Sequence, residues 1–202
     1  MKIRTMGLLF ATLLLAGCWQ KSLNPFYTAQ DVIAEPKLAG VWKESRNANE
    51  SGDAVTWEFT RGDEKRYDLV IWNKEERQEY DAHVFKLAGE RFLDIGSKAR
   101  TISTVPAHHL FKLLEAGPDL KVAGLNTDWM QKWLRENPES LAHVAILDPE
   151  HRNDRDRDEL VLTADTKALQ SFVRNHLDEK DFFADATVLK RHSHAGIASE
   201  NK

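Results

Sequence analysis

Between residues 38 and 95, apolar side chains recur at every second position. Residues 54–60 set Val55, Trp57 and Phe59 on one face against Thr56, Glu58 and Thr60 on the other. Residues 66–72 repeat the pattern through Tyr67, Leu69 and Ile71, and 79–87 continue it with Tyr80, Ala82 and Val84 opposite Asp81, His83, Phe85 and Leu87. Successive side chains leave a strand on opposite sides, so a period of two predicts strands with one buried face. Residues 38–44 and 91–95 read as further strands at either end of this run, and Gly62-Asp63 and Gly89 mark turns within it. A later hairpin, 108–115 with 119–125, bends at Ala116-Gly117-Pro118-Asp119. Short strands at close, regular spacing predict an antiparallel meander that curls into a half-barrel or a sandwich.

After residue 126 the period lengthens. Trp129, Met130, Trp133 and Leu134 form one stripe of a helix over 128–137, closed by Pro138, with Thr127 as the expected N-cap. Residues 141–147 form a short apolar element, and 160–162 a strand. A second helix is expected from about 164 to 177, capped by Thr163, with Ala168, Leu169, Phe172 and Val173 on its apolar side. Residues 187–190 read as a closing strand. Strands first and helices second, with no repeat and no βαβ alternation, predict an α+β fold: a β meander with two C-terminal helices.

The first residues follow a different rule. Lys2 and Arg4 precede an uncharged, largely apolar run from Met6 to Ala16, too short for a membrane span of roughly 20 residues. This run ends at Leu15-Ala16-Gly17-Cys18, and Cys18 is the only cysteine in the chain. These four residues, with the signal around them, resemble the lipobox of bacterial lipoproteins. The resemblance implies that residues 1–17 are cleaved away. It also implies that Cys18 becomes the first mature residue and carries a diacylglyceryl group, with acylation of its new amine. Two or more acyl chains give stable membrane anchoring where one is marginal. Trp19, rather than aspartate, follows the cysteine, which by the sorting pattern of that family implies outer-membrane delivery, facing the periplasm.

Removing residues 1–17 leaves 185 of the 202, enough for one domain with a core, and moves the net charge from −4 to −6. A mildly acidic chain argues against nucleic acid as partner, which calls for a basic face. With Cys18 lipidated, no disulfide or cysteine zinc site is available, so packing alone holds the fold. The expected organisation is a signal over 1–17, the lipidated cysteine and a tether over 18–36, one α+β domain over 37–191, and a disordered polar tail over 192–202.

Gly40-Val41-Trp42, at the head of the meander, resembles the Gly-x-Trp signature of lipocalins and related calycin barrels. In that family the tryptophan packs across the base of the barrel, so the resemblance implies a lipocalin-like half-barrel. The family's later arginine motif has no clear counterpart along this sequence. As a whole the chain is similar to small bacterial envelope lipoproteins of unassigned function, which implies location and fold type but no activity.

The search for chemistry is largely negative. No nucleophile elbow, HExxH, Ser-x-x-Lys or phosphate-cradling glycine loop occurs. His108 and His109 are neighbours in a strand and point to opposite faces, so they read as surface or strand-edge residues rather than as a metal pair. His192-x-His194 falls in the expected tail. Asp154 to Asp158 begins like a calcium loop, but Glu159 stands where that loop needs glycine. No catalytic residue, metal ligand or cofactor is assigned. Trp72, Trp129 and Trp133 are the candidate ligand-contacting aromatics, with Trp72 the aromatic expected to be most exposed.

The expected function is therefore that of a lipid-anchored, non-catalytic binding module. Its ligand would be an apolar small molecule or lipid inside the half-barrel. The alternatives are an adaptor for another envelope protein, using the Trp129/Trp133 helix or a sheet edge, and an enzyme working through carboxylates in a cleft. An apolar cavity would mark the carrier. A filled barrel with an exposed apolar patch would mark the adaptor. Two or more titratable groups in one pocket, with shifted pKa values, would mark the enzyme.

Overall fold

The computed structural model describes residues 19–45, 54–98, 107–146 and 159–192. In chain order its elements are β1 (Lys21–Ser22), β2 (Val32–Ile33), β3 (Gly40–Glu44), β4 (Thr56–Arg61), β5 (Arg66–Trp72), β6 (Arg77–Leu87), β7 (Glu90–Ser97), β8 (His108–Ala116) and β9 (Asp119–Gly124). There follow α1 (Thr127–Glu136), β10 (His143–Ile146), β11 (Glu159–Leu162), α2 (Thr166–His176) and β12 (Thr187–His192).

The meander closes. Strands β3 to β9 pair with their sequence neighbours, and β12 inserts between β9 and β3, giving an eight-stranded barrel in which every pairing is antiparallel. The expected half-barrel or sandwich is thus replaced by full closure. The physical reason lies in β12: it matches Leu189 to both Leu120 and Glu44, so each otherwise free edge finds a partner. Both helices fall in the excursion between β9 and β12, and the last barrel strand comes after them. A short ribbon, β10-β11-β1, extends the sheet from the start of β8, with β11 and β1 parallel.

Period-two alternation divides the barrel wall into two faces. The inward set, including Trp42, Trp57, Phe59, Tyr67, Leu69, Tyr80, Leu93, Ile95, Phe111 and Leu120, forms one buried cluster. An eight-stranded barrel is just wide enough to be filled by its own side chains or to hold one small ligand, and here large aromatics project into it. Trp57 meets Phe111 edge-on at 5.7 Å, Phe59 meets Tyr67 at 6.4 Å, and the Trp42 indole N–H donates to the Leu38 carbonyl at 2.8 Å. Full burial of each such side chain contributes on the order of 2 kcal/mol.

Part of the outward face is apolar too. Phe85, Phe92 and Leu110 meet Met130 and Leu134 of α1 and Leu169, Phe172 and Val173 of α2 in a second buried cluster. Both helix caps differ from the residues the sequence predicts. Asn126, not Thr127, caps α1 by accepting from the backbone of Asp128 and Trp129. Asp165, not Thr163, caps α2 by accepting from the Ala168 amide. Among the described residues, no helix is long and apolar enough to cross a membrane.

Two boundaries differ from expectation. The segment read as a tether is part of the fold from Trp19 onward. Trp19 sits edge-on to Phe111 and Trp57, Gln20 and Ser22 are buried, and Phe26 is fully enclosed. At the other end, β12 runs through Arg191 and His192, which pair with Trp42 and Val41, so the domain extends past the expected start of the tail. The Arg191 guanidinium lies 4.1 Å from the centre of the Trp42 ring and donates to the carbonyls of Lys37 and Ala39, which ties β12 to the head of the meander. Arg191 reaches Trp42 only through strand pairing, so the contact is not visible along the sequence. Cys18, the Asp154–Asp158 run and His194 lie outside the described residues.

Candidate functional site

On β5 to β8 the outward positions away from the helices are polar. Arg66 and Asp68 stand on β5, Asp81 and His83 on β6, Asp94 and Gly96 on β7, and His108 on β8. Strand pairing sets them side by side: Arg66 is opposite His83, His83 opposite Asp94, Asp68 opposite Asp81, and Gly96 lies between Asp81 and His108. Gly96 makes the notch in this wall. A Cβ there would sit 3.1 Å from His108 Cε1 and 3.2 Å from Nδ1, so the imidazole lies across the space left by the missing side chain.

The chain ahead of β2 closes one side. The Phe26 amide donates to Asp94 Oδ2 at 2.9 Å, and the Tyr27 ring stacks on His83 with centroids 4.5 Å apart. From α2, Gln170 donates to the Phe26 carbonyl at 3.0 Å and to Asp31 Oδ2 at 2.8 Å, which fixes this segment from the helix side. The result is an open cleft of about 470 Å³ bordered by Tyr27, Arg66, Asp81, His83, Gly96, Ser97, Lys98 and His108. A second cleft of about 390 Å³ shares Tyr27, Arg66 and His83 and runs on past Ala29, Val32 and the β4–β5 turn.

Two histidines have their proton positions set by their partners. His108 Nδ1–H donates to Asp94 Oδ1 at 2.6 Å, and the Asp94 side chain is almost wholly enclosed, so both of its oxygens are occupied by this contact and the Phe26 amide. A carboxylate on Nδ1 leaves neutral His108 with an accepting Nε2 on a cleft-lining ring. Burial, reinforced by Asp94 and Asp81, pushes the Tyr27 phenol up to about 12. Burial also holds His83 below the ordinary histidine value, against the pull of the same two aspartates. The phenol therefore keeps its proton and shares a 2.9 Å hydrogen bond with His83 Nδ1; with the phenol as donor, the His83 proton lies on Nε2. One ring offers an acceptor and the other a donor.

The charged groups beside them largely cancel. Lys98 Nζ lies 2.6 Å from Asp68 and 3.5 Å from Asp81, while Arg66 lies 3.5 Å from Asp81 and 3.7 Å from Asp68. The Lys98 hydrogen bond holds Asp68 below the usual carboxylate range, and the same bond raises Lys98. Asp81 Oδ1 is charge-paired yet receives no aligned hydrogen bond, and Arg66 Nε has no acceptor among the described residues. No three of His, Cys, Asp and Glu converge to hold a metal ion among the described residues.

The aromatics singled out by sequence lie elsewhere. Trp129 and Trp133 stack at 5.9 Å and press against Phe172 and His176, joining α1 to α2. Trp72 ends β5, half-buried, with the Arg77 guanidinium 5.8 Å from its ring centre. The structure brings Trp129 and Trp133 together, Trp72 apart from them, and none of the three to either cleft.

His108 and His109 do point to opposite faces, but neither is an idle surface residue. His109 is buried against Trp19, and its Nδ1–H donates to the Gln20 carbonyl at 3.2 Å. Sequence reasoning passes over Tyr27, Arg66 and Lys98, reads His108 as a surface or strand-edge residue, and places Asp81 and His83 on one strand face without assembling a site from them. The signal that could have found most of them is the polar outward row on four successive strands, and reading it requires their register. Compared with known protein families, curated proteins and solved structures, the chain matches none.

Proposed function

We propose that this chain is a bacterial envelope lipoprotein, anchored through lipid on Cys18 after removal of residues 1–17, and that the mature protein is a non-catalytic binding module. Its ligand seats in the cleft on the outer barrel wall rather than in the lumen. The observation that carries this reading is the exchange of roles between the two surfaces: aromatic side chains occupy the interior, while the open concavity outside is polar. The ligand is a small polar molecule that presents both a hydrogen-bond donor, for His108 Nε2, and an acceptor, for His83 Nε2–H. Burying an apolar molecule against these groups would strand them without partners at a cost of about 1–3 kcal/mol each. The lipocalin-like reading of the barrel draws support from antiparallel closure at eight strands and from Trp42 capped by Arg191. Outer-membrane placement rests on the lipobox and on Trp19.

The test is native mass spectrometry of residues 19–202 purified from a bacterial envelope extract, beside the His108→Ala variant. A small bound mass, released on denaturation and absent from the variant, supports the proposal. A bound mass retained by the variant refutes the cleft as its site, and an unliganded wild type favours the adaptor alternative. A second reading has two observations behind it, the first being that Tyr27, His83 and Lys98 line one cleft with shifted pKa values, the mark expected of an enzyme. Second, an enclosed carboxylate on Nδ1 of a cleft-lining histidine is the arrangement of a general base, so hydrolysis through His108 is the enzyme form of this site. It predicts turnover of a bound ester or amide that His108→Ala abolishes without loss of binding.

A further inference from the structure

We propose that the free edge of the β10-β11-β1 ribbon is a membrane-docking surface that lies on the bilayer beside the anchor. The proposal rests on the lipoprotein reading of Cys18 and adds how the barrel sits on the membrane. Three observations lead to it.

First, there is no slack between anchor and fold. Trp19 packs edge-on against Trp57, His109 and Phe111 at 5.9, 5.5 and 5.0 Å, and the next residue is held by the Gln20 side-chain amide donating to the Leu160 carbonyl at 2.7 Å. Trp19 directly follows the proposed lipid-bearing residue in sequence, and consecutive Cα atoms are about 3.8 Å apart, so the fold begins one residue from the anchor.

Second, strand register brings the ribbon's apolar residues to the same place. Lys21 pairs with Val161 in parallel, and Val161 pairs with Val144. Continuing that register sets Trp19 level with Glu159, whose antiparallel partner is Ile146. Lys21 and Glu159 form an ion pair across the same two strands. Ile146 therefore stands two strand spacings from the level of Trp19, the residue that follows Cys18 in sequence, about 10 Å.

Third, these residues are out of keeping with a solvated edge. Val144 and Ile146 are 48% and 53% exposed, two of only four large apolar side chains so exposed among the described residues, and both lie on an edge strand. Edges that face water are commonly protected by charge, proline or a bulge. A bilayer interface takes apolar side chains to a depth of about 5–10 Å, which suits two aliphatic residues held beside acyl chains.

The test uses the lipidated full-length protein in vesicles of phosphatidylethanolamine and phosphatidylglycerol, with Ile146→Cys or Glu75→Cys introduced. Cys18 is the only native cysteine and its sulfur is taken by lipid, so each introduced thiol is unique. Glu75 is exposed in the β5–β6 turn, at the end of the barrel away from the level of Phe111 where Trp19 packs, and serves as the reference. A charged, membrane-impermeant maleimide should label residue 146 several-fold more slowly in vesicles than in detergent, and residue 75 at the same rate in both. Equal rates at 146 in vesicles and detergent, with the lipid confirmed by mass on the N-terminal peptide, would overturn docking and leave the anchor standing. An N-terminal peptide without lipid would overturn both. Protection of 146 in native envelopes but not in vesicles would assign the edge to a protein partner instead.

Discussion

Acidification should unfasten the N-terminal segment through His109. This ring lies 5% exposed among Trp19 and the barrel interior, and burial pushes its pKa down to about 4 from an ordinary 6.5. The Gln20 carbonyl on Nδ1 works in the opposite direction but does not offset the burial. A histidine whose folded pKa is depressed gives stability that is fully present above the unfolded value. That stability is lost as pH falls from about 6.5 toward 4 and below. Linkage then gives a loss of about 2 kcal/mol by pH 5 and about 3 kcal/mol by pH 4, a large part of the stability of a domain this size. The assay is urea unfolding of residues 19–202 at pH 7, 6, 5 and 4, for wild type and His109→Phe. The variant forgoes the Gln20 bond at every pH, a constant cost of about 1 kcal/mol, and removes the titration. Subtracting the two curves cancels the carboxylates common to both. The difference should favour wild type or be near zero at pH 7 and move toward the variant by about 3 kcal/mol at pH 4. Parallel curves would refute the reasoning, because they would mean that the ring is solvated or already charged in the folded state.

Other substitutions probe the wall and the cap. Asp94→Ala strands the enclosed Phe26 amide and frees His108, so it should cost about 2–4 kcal/mol in urea unfolding and return the His108 nitrogen shifts to those of a mixed tautomer. Asp94→Ala with no effect on either would mean that the contact is incidental. Gly96→Ala brings a methyl to 3.1 Å from His108 and should displace that ring at a cost of about 1 kcal/mol, read as a changed His108 Hε1 resonance with the barrel's other signals kept. Arg191→Ala removes the stacking on Trp42 and two donated hydrogen bonds to Lys37 and Ala39, and should lower stability by about 1–3 kcal/mol. Arg191→Lys, which lacks the planar fork, should recover less than half of that loss.

Much of the wall was legible from pattern alone. Alternation in β4, β5 and β6 named Val55, Trp57, Phe59, Tyr67, Leu69, Ile71, Tyr80, Ala82 and Val84 as one face, and all of them are buried in the lumen. This worked because a strand has only two faces, so local spacing fixes which side chains share one. The same logic separated His108 from His109, although it gave no means of knowing that both faces of β8 are covered there. The two helices were visible in their stripes, but their caps were misplaced. Thr127 and Thr163 are competent caps, as are their near neighbours Asn126 and Asp165, and tertiary packing chose among them.

What spacing could not supply was closure and register. Whether a meander remains a half-barrel depends on a strand far along the chain from β9 finding both free edges, and no local period encodes that pairing. The cleft depends on the same non-local fact. Arg66, His83, Asp94 and His108 come from four strands, and become neighbours only once each pairs in a particular register. Trp129 and Trp133 looked like ligand aromatics for the converse reason: composition shows that a residue is able to bind, while packing against Phe172 and His176 decides that it joins two helices. The sequence by itself thus determined the strands, their inner faces, the two helices and, as an expectation, the targeting signal at Cys18. Only the tertiary structure decided that the inward side chains form one buried cluster and that a polar cleft lies outside it. Face is a property of neighbours along the chain, whereas a site is a property of neighbours across it.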